Sequence, residues 1–72
     1  MTPRYVIIFE SSEARTTEDD LSFDDDVHAL VAARRLFVHE IVFSDARPFS
    51  LLLGRHGSDG EVDWLSTWSA HA

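Results

Sequence analysis

Apolar residues are concentrated in stretches that differ in their periodicity. Residues 4–10, "RYVIIFE", hold an almost continuous run of β-branched and aromatic side chains, which is typical of a strand buried on both faces. Residues 49–55, "FSLLLGR", and 61–68, "EVDWLSTW", flank the turn-forming segment "HGSDG". Two apolar runs around such a turn are typical of a β-hairpin. The pattern therefore predicts an N-terminal strand and a C-terminal hairpin.

A helix is predicted between these strands. Ser22 is followed three residues later by an acid, a spacing that marks helix starts. The next carboxylates would lie in the first turn, where negative charge favours the helix dipole. The helix is expected to end between Phe37 and Glu40, because residues 40–43, "EIVF", are richer in strand formers.

One face of this helix carries its larger apolar side chains. At 100° per residue, they cluster around Val27 and predict the face that packs on the sheet: Val27, Leu30, Val31, Phe37, Val38 and Ile41. Arg34 is the one charge within that face, and it is expected to extend along the sheet edge with its guanidinium in water.

The elements together predict the α+β class. The expected fold is one domain, residues 1–72, in which a single helix packs across one face of an antiparallel sheet of three to four strands. The order is β-α-β-β. The polar segment 11–20 is either a loop, or a tight turn at Ser12 and Glu13 followed by a short strand near Ala14 to Thr17.

Apolar side chains exceed what one helix can cover. In the last strand, a period of two places Val62, Trp64, Ser66 and Trp68 on one face and Leu65 on the other. Leu36, Leu52 and Leu65 are expected to remain exposed. Exposed apolar surface on so small a chain predicts a homodimer or a complex with another protein.

Charge is distributed unevenly along the chain. The net charge is -7, and residues 1–26 carry eight acids and two arginines. This balance disfavours direct nucleic-acid binding, which needs a basic surface, and suits a basic protein partner. The candidate partner-binding residues are six acids and one aromatic anchor: Glu18, Asp19, Asp20, Asp24, Asp25, Asp26 and Trp68. The alternative is that the acids form only a solvated loop and helix start.

No motif for catalysis, a metal or a cofactor accompanies these residues. Cysteine is absent, and no nucleophile motif or glycine-rich phosphate loop occurs. An EF-hand loop needs a glycine within the acidic run, but the first glycine is Gly54. His28 and His39 lie about three helical turns apart, too far for a shared metal. We expect neither an enzyme nor a cofactor.

The expected function is a small, non-enzymatic protein-binding module. Its most concrete form is an inhibitor that covers the basic nucleic-acid-binding surface of its target. Phage-encoded inhibitors of restriction and CRISPR systems are similar in size and charge, and some imitate DNA. The alternative is a bacterial domain that homodimerises through its sheet, with its acids serving solubility. No apolar run approaches the ~20 residues of a membrane span, so a cytoplasmic location is expected.

Overall fold

The fold is a four-stranded sheet with one helix, seen in a computed structural model that describes residues 3–12, 14–43 and 49–70. Within these residues the elements are β1 (Arg4–Ser11), β2 (Arg15–Ser22), α1 (Asp26–Phe43), β3 (Phe49–His56) and β4 (Val62–Ala70). The strands form one sheet in the order β2-β1-β3-β4, and every neighbouring pair is antiparallel. The α+β class, with an antiparallel sheet and one helix, is confirmed.

The element order β-α-β-β lacks one strand, since the chain runs β-β-α-β-β. Of the two alternatives for residues 11–20, the structure has the turn followed by a strand, but β2 is a full strand that continues to Ser22. The Ser11 N–H donates to the Ala14 carbonyl across 2.8 Å and closes the turn into β2; Glu13, predicted in this turn, lies outside the described residues. All of β2 is exposed except Leu21, which is half-buried. An edge strand that is exposed to solvent on both faces needs no alternation of apolar and polar residues. The sequence of β2 therefore lacks the period of two that indicates a strand.

Helix α1 is longer than predicted and is rotated relative to the prediction. It continues to Phe43, so residues 40–43 form no strand. Its buried residues are Ala29, Ala33 and Phe37. Of the predicted face, Phe37 is buried and Leu30 packs against the core, whereas Val27, Val31, Val38 and Ile41 are exposed. Arg34 is therefore exposed on the outer side and does not extend along the sheet.

Small side chains explain this rotation. Ala29 and Ala33 are fully buried, and their methyl groups let the helix approach the sheet closely. The helix packs chiefly over β3 and β4. Its first turn is also tied to the sheet, because the Asp26 carboxylate accepts hydrogen bonds from Tyr5 and Arg55. This bonding requires Asp26 to face inward and so fixes the rotation.

The core lies between the helix and the two central strands. Its members outside α1 come from β1 and β3: Tyr5, Ile7, Phe49, Leu51 and Leu53. The rings of Phe37 and Phe49 pack with their centroids 5.2 Å apart. Of the three leucines that were expected to remain exposed, Leu36 is exposed by 43%, and Leu52 is half-buried on the other face of the sheet. Leu65 is half-buried and packs against the core, contrary to the expectation.

A β-bulge in β4 places the two tryptophans on opposite faces of the sheet. Leu53 pairs with Ser66, but Gly54 pairs with Trp64, so β4 has one extra residue, Leu65. Because cross-strand partners share a face, Trp64 lies on the sheet face that the helix does not cover. Trp68, paired with Leu51, faces the helix. The prediction that both tryptophans share a face is therefore wrong, since an inserted residue breaks the period of two.

Candidate functional site

A groove opens between β2 and the C-terminal half of α1. The helix packs over β3 and β4, which leaves the helix-side face of β2 uncovered. The groove has a volume of about 340 Å³ and is lined by residues of the first hairpin, the helix and the start of β3: Phe9, Glu10, Ser11, Ala14, Thr16, Glu18, Glu40 and Phe49. Its volume is near the lower end of the range for ligand sites.

Three glutamates and two phenylalanines are among the residues that line this acidic groove. Phe9 packs against the core, and Phe49 is part of it. Glu10 and Glu40 are half-buried, and Glu18 is exposed. Glu10 lies 3.3 Å from the Arg15 Nε, whereas neither other glutamate has an ion-pair partner within the described part of the chain. Carboxylates beside aromatic faces favour a cation such as a lysine or arginine side chain.

Glu18 is the one predicted acid that lines the groove. It lies opposite Ile7 in the pairing of β1 with β2, and Ile7 belongs to the core on the helix side. Cross-strand partners point to the same face, so Glu18 points toward the groove. The acidic stretch is thus part of a strand at this point, and the predicted solvated loop is wrong.

Asp19 and Asp20 form a β-bulge that the sequence did not reveal. The register between β1 and β2 shifts after Tyr5, and Asp20 has a φ of 59°. Aspartate tolerates this left-handed conformation better than most residues. The Asp20 carboxylate forms an ion pair with Arg4. The bulge therefore gives these two acids a structural role in the edge strand.

A histidine of β3 reaches Asp19 across the sheet. His56 Nε2 lies 2.6 Å from Asp19 Oδ1, and the Asp20 backbone N–H donates to the same oxygen across 2.7 Å. These hydrogen bonds, that of His56 first, lower the pKa of Asp19. Strand β1 lies between β2 and β3, so no sequence spacing could indicate this pair.

Asp25, not Ser22, caps the helix. Its Oδ1 accepts the His28 backbone N–H at 2.9 Å and lies 2.8 Å from His28 Nδ1. The backbone bond and then the side-chain bond lower the pKa of Asp25, and the side-chain bond raises the pKa of His28. Asp24 is exposed and, among the described residues, has no hydrogen-bond or ion-pair partner.

Asp26 connects three elements at the end of the sheet opposite the groove. The Tyr5 hydroxyl donates to its Oδ1 at 2.8 Å, and Arg55 Nη1 donates to its Oδ2 at 2.6 Å. Arg55 Nη2 also lies 3.7 Å from Asp63. Hydrogen bonding to Asp26 raises the pKa of Arg55 further. These bonds fix the helix start on β1 and β3.

The predicted site residues therefore do not form one surface. Glu18 faces the groove and Asp24 faces solvent, while the other four acids each pair with an arginine or a histidine within the chain. Trp68, the predicted exposed anchor, is half-buried against the core, and Trp64 is exposed by 52%. Sequence reasoning missed Glu40 and Phe9 as groove residues, because nothing in their local sequence indicates that the helix leaves β2 uncovered.

Neither a metal-binding cluster nor a membrane-spanning helix is found among the described residues. No three histidine or acidic side chains among them are grouped to hold a metal ion. The described helix is not long and apolar enough to cross a membrane.

Comparison with known proteins found nothing similar to this chain. No family model matches it, and no curated protein or solved structure shows significant similarity to it.

Proposed function

We propose that this chain is a non-enzymatic protein-binding module whose acidic groove takes up a basic side chain of a partner. The observation that supports the proposal most is that Glu18 and Glu40 line the groove together with Phe9 and Phe49. Neither glutamate has a cationic partner among the described residues. An arginine or lysine could insert there, stack on the half-buried ring of Phe9 and be neutralised.

The edge of β2 supplies a backbone template next to this groove. Within the described residues β2 is hydrogen-bonded only to β1, so its other edge can accept an extended segment. Alternate side chains of such a segment would lie beside Thr16 and Glu18 on the helix side of the sheet. A basic residue there would form a cross-strand pair of opposite charge with Glu18.

Long-range electrostatics support the same kind of partner. The net charge of -7 attracts basic surfaces and increases the rate of encounter. An inhibitor that covers the arginine-rich, nucleic-acid-binding surface of a target is the most concrete form of this module. Imitation of a row of phosphates has less support, because the carboxylates from Asp19 to Asp26 largely have partners within the chain.

A peptide-binding experiment tests the groove. The probe is a short fluorescent peptide with arginine at alternate positions, compared with the same peptide carrying glutamine instead. We expect Glu18→Gln and Glu40→Gln each to weaken binding of the arginine peptide several-fold and to flatten its salt dependence. Glu61→Gln is the matched control, since Glu61 is exposed near the β3–β4 turn at the far end of the sheet. If all three variants lose the same affinity for the arginine peptide, binding depends only on net charge, and the proposed binding site in the groove is wrong.

The uncovered face of the sheet favours homodimerisation as a second candidate function. Trp64 is exposed by 52% on this face, and Leu52 and Val62 are only half-buried there. Two copies could bury these side chains against each other, with the acids serving solubility. Sedimentation equilibrium of the wild type and of Trp64→Ser tests this candidate: a dimer that the substitution dissociates supports it, and a monomeric wild type contradicts it.

A further inference from the structure

Helix α1 presents a second apolar face to solvent. Five of the eight large hydrophobic residues that are exposed in the described chain lie within about 100° of one another on this helix: Val27, Val31, Val38, Ile41 and Val42. Val31 and Val38 are each exposed by 48%. At 100° per residue they lie roughly opposite Ala29, which faces the sheet. The chain's own core therefore cannot cover this outer face.

The spacing on the outer face is that of a coiled-coil seam. Positions 27, 31, 34, 38 and 41 are separated alternately by four and three residues, which is the a/d pattern of a heptad repeat. Val31 and Val38 occupy a positions, where β-branched residues suit two-stranded packing. The seam from Val27 to Ile41 is about 21 Å long at 1.5 Å per residue.

The centre of this seam contains a depression with two guanidinium groups. Its volume is about 390 Å³, and its lining residues are Val31, Arg34, Arg35 and Val38. These residues stand at i, i+3, i+4 and i+7, the four positions that form the hole for one side chain in knobs-into-holes packing. A partner side chain that enters this hole would meet a cation on each side.

Both arginines lack a counter-charge within the described residues. The other arginines described, Arg4, Arg15 and Arg55, each form an ion pair with a carboxylate. Arg34 and Arg35 are exposed and form no ion pair there, although the chain has 13 acids. Charge complementarity therefore calls for a carboxylate opposite this hole.

We infer that the outer face of α1 binds an amphipathic helix of another protein, with an acidic residue entering the hole between Val31 and Val38. A second copy of the chain does not fit, since symmetric pairing would bring two Arg34–Arg35 pairs together near the middle of the seam. An anionic membrane fits less well, because the arginines flank the centre of the apolar stripe and would be drawn into the lipid with it. This inference is independent of the acidic groove, which lies on the other side of α1.

Designed helical peptides test the inference. The first probe is a peptide of about three heptads with leucine and isoleucine at a and d and one central glutamate aimed at the hole; the second carries lysine in its place. We expect the wild-type chain to bind the glutamate peptide at least about tenfold more tightly, which corresponds to about 1.4 kcal/mol. The double variant Arg34→Glu/Arg35→Glu should reverse the preference. Val31→Ser/Val38→Ser should abolish binding of both peptides.

Several outcomes would overturn the inference. Equal affinity for the two peptides would remove the role of Arg34 and Arg35. Binding to vesicles of phosphatidylglycerol without binding to either peptide would assign the face to a membrane. A homodimer that the double serine variant dissociates would assign it to a second copy. Glu18→Gln tests whether the groove contributes to this binding, and it should leave the affinity for both helical peptides unchanged. Thermal unfolding of each variant verifies that it is folded.

Discussion

The Tyr5 hydroxyl donates a hydrogen bond to Asp26 Oδ1, which lies 2.8 Å away. Tyr5 is fully buried in the centre of the sheet, and Asp26 is the first residue of α1. This hydrogen bond therefore joins the core to the helix start across 21 residues of sequence. Burial first, and then the bond to Asp26, raises the pKa of Tyr5 to about 12. The side chain acts as a hydrogen-bond donor and stays neutral over the physiological range.

The raised pKa of Tyr5 predicts a loss of stability at high pH. The folded-state pKa of about 12 exceeds the ordinary value of about 10, so the folded chain holds this proton more tightly than the unfolded chain. The resulting stabilisation is complete below pH ~10 and is lost as the pH rises from ~10 to 12. Tyr5 is the only tyrosine, so the near-ultraviolet absorbance of its phenolate reports its titration directly.

The variant Tyr5→Phe is the control for this titration. It removes the ionisable group and should flatten the pH dependence of stability in that range, at a cost of about 1.5 kcal/mol from the lost bond to a charged acceptor. Urea unfolding at several pH values measures both effects. A wild-type tyrosine that titrates near its ordinary pKa while the chain stays folded would contradict the buried hydrogen bond.

His28 and Asp25 predict a pH effect at the helix start. The hydrogen bond that the protonated His28 ring donates to Asp25 raises the pKa of His28. The contribution of this pair is therefore present below the ordinary histidine pKa and is lost as the pH rises through the raised value. Nuclear magnetic resonance can follow His28 through its titration. We expect Asp25→Asn to return the pKa of His28 toward its ordinary value and to lower the melting temperature.

The neighbouring aspartate is the matched control for this effect. Asp24→Asn removes the same charge, but Asp24 affects His28 only through its more distant charge. It should therefore shift the pKa of His28 less and leave the cap intact. If the two asparagine variants shift the pKa of His28 equally, the specific bond to Asp25 is not what raises it.

The space around Gly54, on the sheet face that the helix does not cover, is too small for a larger side chain. A Cβ atom at this position would lie 2.5 Å from Val62 Cγ1 and 2.9 Å from Trp64 Cε3, so both side chains extend over the glycine. We expect Gly54→Ala to destabilise the fold by about 1–3 kcal/mol through overpacking and to change the fluorescence of Trp64. Chemical unfolding of the single variant and of Gly54→Ala/Val62→Ala measures the effect.

The double variant Gly54→Ala/Val62→Ala shows whether contact with Val62 causes the destabilisation. Removing the Val62 methyl groups relieves the nearest contact, so the double variant should be more stable than the sum of the single effects predicts. Strict additivity would mean that the alanine methyl meets something other than Val62.

The strands that the sequence predicted well are those whose burial leaves a local pattern. The run from Tyr5 to Ile8 is buried on both faces, and the glycine-rich turn before β4 indicates its hairpin. β2 left no such pattern, because an exposed edge strand has no apolar period. The bulge at Leu65 and the pair of Asp19 with His56 depend on neighbours that are distant in sequence, and no local spacing indicates them.

The helix face was mispredicted for a different reason. Both sides of α1 are apolar, so hydrophobic periodicity alone cannot choose between the side of Val27 and the side of Ala29. Side-chain size and the hydrogen bonds of Asp26 decide the orientation of the helix. The small side chain of Ala33 fits where the helix backbone approaches the sheet, and Asp26 must face the sheet to accept the hydrogen bond from Tyr5. The same ambiguity concealed the outer seam, since its valines were assigned to the core, and it concealed Arg34 as an outward-facing cation.

The orientation of α1 predicts opposite effects for substitutions on its two sides. Ala33 is fully buried against the sheet, so Ala33→Leu should overpack the core and cost about 1–3 kcal/mol. Val38 is exposed by 48% on the other side, so Val38→Ser should change the free energy of unfolding by no more than about 0.5 kcal/mol. Urea unfolding of the two variants, with equal slopes as a check on two-state behaviour, measures both values.

A helix rotated as the sequence predicted would give the reverse result. Val38→Ser would then leave a cavity and an unpaired hydroxyl in the core, whereas Ala33→Leu would place its new side chain in solvent at little cost. The comparison is sharp because the two residues are five apart and differ by about 140° in direction. The free energy of Val38→Ser also bears on the outer seam: a variant as stable as the wild type that loses the helical peptide has lost a contact, not its fold.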